Sequence, residues 1–158
     1  MRNIIILLMG FTFFTNQAQK KDTIFIKFND SFKGTKKESY QFSPNSSISF
    51  GYYIKQMEKE TYGDTHFLFS HASRDEKTYK KFGGQHPAVL KKHKTFLKDK
   101  KVLDISFFRT TPYLEVCKTF EEEDSWEQDV VIFMMDVDEM KNDSIVLREV
   151  RFSRPVKE

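Results

Sequence analysis

The chain has a single cysteine, Cys117, among 158 residues, so no disulfide can close within it. That excludes the stapled scaffolds common among small exported domains and leaves stability to packing alone. Glycine and proline are scarce, at six and four residues, and the chain shows neither internal repeats nor a low-complexity tract. There is one tryptophan against 17 phenylalanines, a ratio that suits a core filled by large side chains better than a sugar-stacking surface. Hydrophobic runs are short as well. The longest is Ile4 to Phe14, "IIILLMGFTFF", and its eleven residues fall below the about 20 that a bilayer-spanning helix requires.

That run has another reading. Met1-Arg2-Asn3 supplies a positive start, and Asn16-Gln17-Ala18 places a small residue where a signal peptidase cuts. Charge, apolar stretch and small residue in this order form a secretory signal peptide. The expected division is a signal over 1–18 and a single domain over 19–158, periplasmic, cell-surface or secreted. No cysteine stands beside the apolar run to take a lipid anchor.

The order of patterns is strands, then helices, then strands. Alternation in "DTIFIKF" predicts a strand from Asp22 to Phe28, and residues 29–45 read as a long loop. Residues 46–57 and 64–72 read as a hairpin with Gly63 and Asp64 near its tip. Pro87 then opens a predicted helix over 87–99. Its apolar stripe is Val89, Leu90, His93, Phe96 and Leu97, and Lys91, Lys92, Lys94 and Lys98 lie around it. "KVLDISFF" fits either a short strand or a helical turn capped by Asp104. Thr111-Pro112 begins a second helix with Tyr113, Leu114, Val116, Cys117 and Phe120 on one face. "DVVIFMMDV" is apolar on both faces, as in a covered central strand or one at an interface, and "SIVLREVRF" completes a hairpin with it. The expected fold is α+β: an antiparallel sheet of about five strands with two helices packed on one face.

Charge is segregated along the chain. Between Arg74 and Lys101 ten basic residues face three acidic ones, and between Glu115 and Glu139 ten acidic residues face Lys118 alone. The formal net charge of +3 conceals this polarity. A basic band can hold an anionic partner, or it can be a solvated face that pairs with the acidic segment. The acidic run "EEEDSWEQD" lacks calcium-loop spacing, but Trp126 within it is a candidate docking residue.

Catalytic patterns are thin. His86 and His93 are not at the spacing of a zinc helix, and nothing in the sequence positions a third ligand. Asp64 and His66 lie two apart, on one side of a strand, where the carboxylate could orient the imidazole as a base. No nucleophile with a signature accompanies them. Cys117 sits mid-face on the second helix and reads as a core thiol. No cofactor is implied.

The signal ending "NQAQ", the Lys- and Phe-rich strands and the segment "FLKDKKVLDISFF" give the chain a resemblance to the small exported proteins of unknown function common in Bacteroidota. The resemblance implies residence beyond the cytoplasm of a Gram-negative cell and no particular activity. Asp22-Thr23-Ile24 and Asp143-Ser144-Ile145 also resemble the O-glycosylation triplet of that group, with Thr23 and Ser144 as acceptors. Three function classes follow as expectations. The first is a non-enzymatic domain that binds a protein or envelope component through a charged surface of Lys91, Lys92, Lys94, Lys98 and Trp126. The second is a small hydrolase or metal-dependent enzyme using Asp64 and His66. The third is a structural subunit that pairs through the strand at 129–137.

Overall fold

The computed structural model describes residues 22–41, 48–56, 66–72, 87–121 and 130–154. Its strands are β1 (Thr23–Phe28), β2 (Thr35–Tyr40), β3 (Ser49–Lys55), β4 (His66–His71), β5 (Val89–His93), β6 (Val102–Leu103), β7 (Val131–Asp136) and β8 (Ser144–Ser153). Two helices, α1 (Ile105–Thr110) and α2 (Tyr113–Phe120), precede β7. The signal segment, the hairpin tip with Asp64, and His86 and Trp126 lie outside the described residues.

The expected five-strand antiparallel arrangement is overturned. Eight strands form one mixed sheet in the order β2-β3-β4-β8-β7-β1-β6, with β5 attached to β8. β1 runs parallel to both β7 and β6, and the other pairings are antiparallel. Two strands were not anticipated. β2 lies inside the stretch read as a loop, where "TKKESY" has no apolar alternation because it is an outermost strand with no fully buried residue. β5 replaces the predicted helix over 87–99. Its residues pair with Ser144–Arg148, and the chain then makes a 3-10 turn at Lys94–Leu97. The helical stripe was real in the sequence, but strand pairing with β8 outweighs helix propensity here, as tertiary context often does.

β8 is the organising strand. One edge pairs with β7, and the other pairs with β5 over Ser144–Arg148 and then with β4 over Arg151–Ser153. Strands that pass from one ladder to the next in this way let a sheet turn a corner. The sheet therefore folds over itself. Phe28 of β1 meets Tyr52 of β3 with ring centroids 5.1 Å apart, although the strands are not neighbours in the ladder.

Inside the fold lies the main core: Ile24, Ile26 and Phe28, Tyr52 and Ile54, Phe67 and Phe69, Ile132 and Met134, and Val150 and Phe152. The helices close it with Ile105, Phe108, Tyr113, Val116, Cys117 and Phe120. Asp104 caps α1 by accepting the Ser106 N–H at 2.9 Å, as its place in the sequence suggested. Leu114, counted on the apolar face of α2, is instead exposed. A smaller cluster of Phe25, Phe133, Met135, Ile145 and Leu147 forms on the opposite face of the sheet, covered by Leu90 and Leu97. β7 is apolar on both faces for this reason. Both its edges are paired, with β8 and β1, which leaves no free edge for pairing with a second copy.

Phe69 touches Phe108, Phe120 and Phe152 at centroid distances of 5.7, 5.4 and 5.2 Å. Truncating it opens a cavity among rings that cannot collapse together. Phe69→Ala is expected to lower unfolding free energy by about 3–5 kcal/mol, read by urea titration.

Candidate functional site

Two charged regions stand out, and they differ in whether their charges are neutralised. The first closes the folded sheet. Lys37 of β2 reaches over to β7, four places away in the strand order, and binds the fully buried Asp136 carboxylate. Its Nζ also donates to Glu139 at 2.8 Å, and the second oxygen of Glu139 accepts from Arg148. Asp136 uses its other oxygen to cap the 3-10 turn Val137–Glu139 through the Asp138 N–H, at 3.0 Å. The Phe50 ring lies 4.8 Å from Lys37 Nζ and 4.5 Å from Arg148 Cζ, close enough for cation–π attraction to both.

The electrostatics follow from these contacts. Burial alone would lower the Lys37 ammonium, but its hydrogen bonds to Asp136 and Glu139 outweigh that and lift it above the usual lysine value. Burial would likewise raise Glu139, yet hydrogen bonds from Lys37 and Arg148 hold it below the usual glutamate range. Tyr52 lies among the same four charges. Its hydroxyl is buried without a hydrogen-bond partner among the described residues, and burial pushes its pKa up to about 12. Two cations and two carboxylates satisfy one another here, so the cluster is a clamp rather than a reactive centre. Sequence reading missed it, since Lys37 and Asp136 stand 99 residues apart.

The second region is a shallow, open cleft of about 650 Å³ between β5 and the turn that joins β7 to β8. Lys91, Lys92, His93, Lys141, Asn142, Asp143 and Ser144 line it. The turn is tight: Lys141 and Ser144 exchange main-chain hydrogen bonds at 3.2 and 2.9 Å. Asn142 adopts φ +52°, a left-handed conformation that asparagine tolerates better than most residues. The Lys94 N–H donates to the Asp143 carbonyl at 2.8 Å and ties the turn to the end of β5. His93 Nδ1 accepts the Thr95 N–H at 3.3 Å and so caps the 3-10 turn at Lys94–Leu97. Beside the cleft, the half-exposed Phe96 ring has Lys92 Nζ at 5.4 Å and Lys100 Nζ at 5.6 Å.

Most of these lysines stand without a carboxylate among the described residues. Lys94 approaches Asp143 at 3.8 Å, but Lys91, Lys92, Lys98 and Lys141 have no carboxylate within ion-pair distance among the described residues. Of the surface predicted from sequence, Lys91 and Lys92 line the cleft, while Lys94 and Lys98 sit at the 3-10 turn beside it. Lys141 joins them from a segment read only as a turn, 49 positions after Lys92. The two glycosylation candidates occupy separate places: Ser144 lines this cleft and Thr23 opens β1.

The other candidates are scattered. His66 lies on β4 with its ring edge-on to Tyr53, at 6.5 Å, and its proposed partner Asp64 is outside the described residues. His71 points the other way and is buried, with Nδ1 2.7 Å from the Glu149 carbonyl. Cys117 is buried in the main core, where desolvation raises its thiol pKa, the opposite of what a nucleophile needs. Among the described residues no group of three or more His, Cys, Asp or Glu side chains is placed to hold a metal. A second cleft, about 430 Å³, opens where β1 and β7 begin and mixes Asp22, Lys101, Lys118 and Glu121. Burial raises the Glu121 carboxyl pKa there, and Arg154 at 3.5 Å opposes that only in part. Compared with known protein families, curated proteins and solved structures, the chain matches none.

The clamp sets a pH response. A carboxylate held low in the folded state stabilises fully above its unfolded value, ordinarily 4.5, and that contribution is lost as pH falls through the folded value. Unfolding free energy is therefore expected to drop on acidification from pH 6 to pH 3, and Glu139→Gln is expected to flatten that drop. A second outcome concerns Tyr52. Because its hydroxyl has no partner to lose, Tyr52→Phe is expected to change stability by less than about 0.5 kcal/mol or to raise it, by urea titration.

Proposed function

We propose that the protein is an exported, non-enzymatic binding domain whose working face is the lysine-lined cleft, and that its partner is a protein or envelope component carrying negative charge. The observation that carries this reading is the contrast between the two charged regions. Where the fold needs cations it pairs them, as in the clamp of Lys37 and Arg148 with Asp136 and Glu139. Around the cleft, Lys91, Lys92 and Lys141 converge from two separate segments; the one carboxylate in the lining, Asp143, approaches Lys94, and none of the three has an ion-pair partner among the described residues. Like charges gathered in a concavity raise the local concentration of an anion and repel one another in its absence. Export is supported by the arrangement of Met1 to Ala18, and mass spectrometry of native product is expected to find Gln19 at the N-terminus. Retained Met1 would count against export.

A polymer of carboxylates without amides, polyacrylate, tests the electrostatics alone. Binding is expected to weaken steeply between 50 and 300 mM salt, because exposed charges are screened within roughly 10 Å at 0.1 M. Reversing three lysines together, Lys91→Glu, Lys92→Glu and Lys141→Glu, is expected to cut affinity on the order of tenfold or more, at roughly 0.2–1 kcal/mol per exposed pair. All three side chains are exposed, so the fold should be retained, checked by far-UV circular dichroism. Unchanged affinity in the reversed protein, or binding indifferent to salt, would overturn the reading.

A further inference from the structure

The ladder of β5 fixes where its main-chain groups point. In an antiparallel pair, alternate residues exchange hydrogen bonds with the partner, and the residues between them face the other edge. Glu149 donates its N–H to the Ala88 carbonyl at 2.8 Å, and Lys94 donates to the Asp143 carbonyl at 2.8 Å. With the register of Leu90 on Leu147 and Lys92 on Ile145, the residues turned toward β8 are Ala88, Leu90, Lys92 and Lys94. Val89, Lys91 and His93 therefore direct their N–H and C=O groups away from β8. Among the described residues no strand lies along that edge.

The outermost strand β2 shows what a protected edge looks like in the same molecule. On β2, Lys37 donates its outward N–H to the Asp30 carboxylate at 2.8 Å, and Thr35 donates its own to the Phe32 carbonyl at 3.1 Å. Those outward donors are stopped by local acceptors. The outward groups of β5 have no such stopper among the described residues.

We propose that the free edge of β5 binds an extended acidic polypeptide segment by strand addition, its main chain pairing with Val89, Lys91 and His93 and its carboxylates meeting the lysines of the adjoining cleft. The inference rests on the anionic-partner reading above and specifies the partner. An added strand gains its affinity from main-chain hydrogen bonds and its selectivity from alternate side chains. Charge chooses the occupant. A second copy adding antiparallel through β5 would set Lys91, Lys92 and His93 near their own equivalents, and like charges opposed across strands destabilise the pair. A neutral strand gains nothing from Lys91, Lys92 and Lys141. An acidic strand is the one for which edge and cleft act together, and lysine on an edge strand excludes the others.

The test uses the full chain and two probes: a capped decapeptide alternating Glu and Val, and polyacrylate, which has charge but no amides. The peptide is expected to bind and to slow hydrogen exchange of the Val89, Lys91 and His93 amides at least tenfold by NMR, leaving Leu90 and Lys92 little changed. Comparing Lys91→Pro with Lys91→Gln isolates the main chain, since both lose the charge and only proline loses an outward N–H that β8 does not use. Lys91→Pro is expected to bind the peptide at least fivefold more weakly than Lys91→Gln, with equal affinity for polyacrylate. If both probes bind in a salt-dependent way but the three amides exchange at unchanged rates, strand addition is overturned and the anionic reading stands. Amides already protected in the free protein would also overturn it, because the edge would then be covered. Should neither probe bind, both readings fail together.

Discussion

A single strand, β8, carries three ladders, and most of the molecule's form follows from that constraint. β7 pairs along one edge over Leu147–Val150, while β5 and β4 divide the other end to end. A flat sheet cannot accept two strands in tandem on one edge without separating them, so the part built on β4 turns away from the part built on β5. That turn brings the inner faces of β3 and β4 over β1 and β7, and it encloses the rings of Tyr52, Phe67 and Phe69 with Phe28, Phe120 and Phe152. It also leaves β5 as a short strand that, among the described residues, pairs on one side only. The enclosed core and the open edge are consequences of the same division.

Without a disulfide, the turned part of the sheet is retained by burial and by the Lys37 clamp. Aromatic rings suit the first task, since a few of them remove much surface from water at modest entropic cost. The clamp suits the second because it joins β2 to β7 where no ladder can. Its energetic role is selective rather than large: a buried ion pair roughly balances its own desolvation, whereas losing one member strands the other. What the clamp does is penalise every arrangement of β2 in which Lys37 fails to reach Asp136. A cluster of this kind specifies position more than it adds stability.

Legibility in the sequence divided along the same physical lines. Strands with a buried face were legible: β1, β3, β4, β7 and β8 all follow from alternation or from continuous apolar runs. So were the Asp104 cap and most of the buried face of α2. Edge strands were not. β2 has no apolar face to betray it, and in β5 a helical period of Val89, Leu90, His93, Phe96 and Leu97 happens to overlie a strand followed by a 3-10 turn. Parallel pairing of β1 with β7 was equally hidden, because nothing local in Thr23–Phe28 marks a partner more than a hundred residues later. For the candidate site, the lysines at 91, 92, 94 and 98 were visible as a run. Lys141 and the open edge were not, since one depends on a distant turn and the other on which way amides point.

The misreading of 87–99 bears on function as well as on fold. On a helix, Lys91, Lys92, Lys94 and Lys98 would have been a solvated stripe with every main-chain group satisfied internally, and only their charge could have acted. In the structure only Lys91 and Lys92 lie in the strand, and Lys91, with Val89 and His93, turns its main-chain donors and acceptors toward an edge that no described strand covers, which calls for either a partner or a device that discourages one. Lysine is such a device against copies of itself and against neutral strands, because adding either would bury or oppose its charge. Against an acidic strand the device reverses sign and becomes an attraction. Exclusion and the proposed recognition on this edge are therefore one electrostatic term read against different partners. The fold needs only the exclusion. On the proposed reading, Lys141, which reaches the cleft from another segment, adds to the attraction.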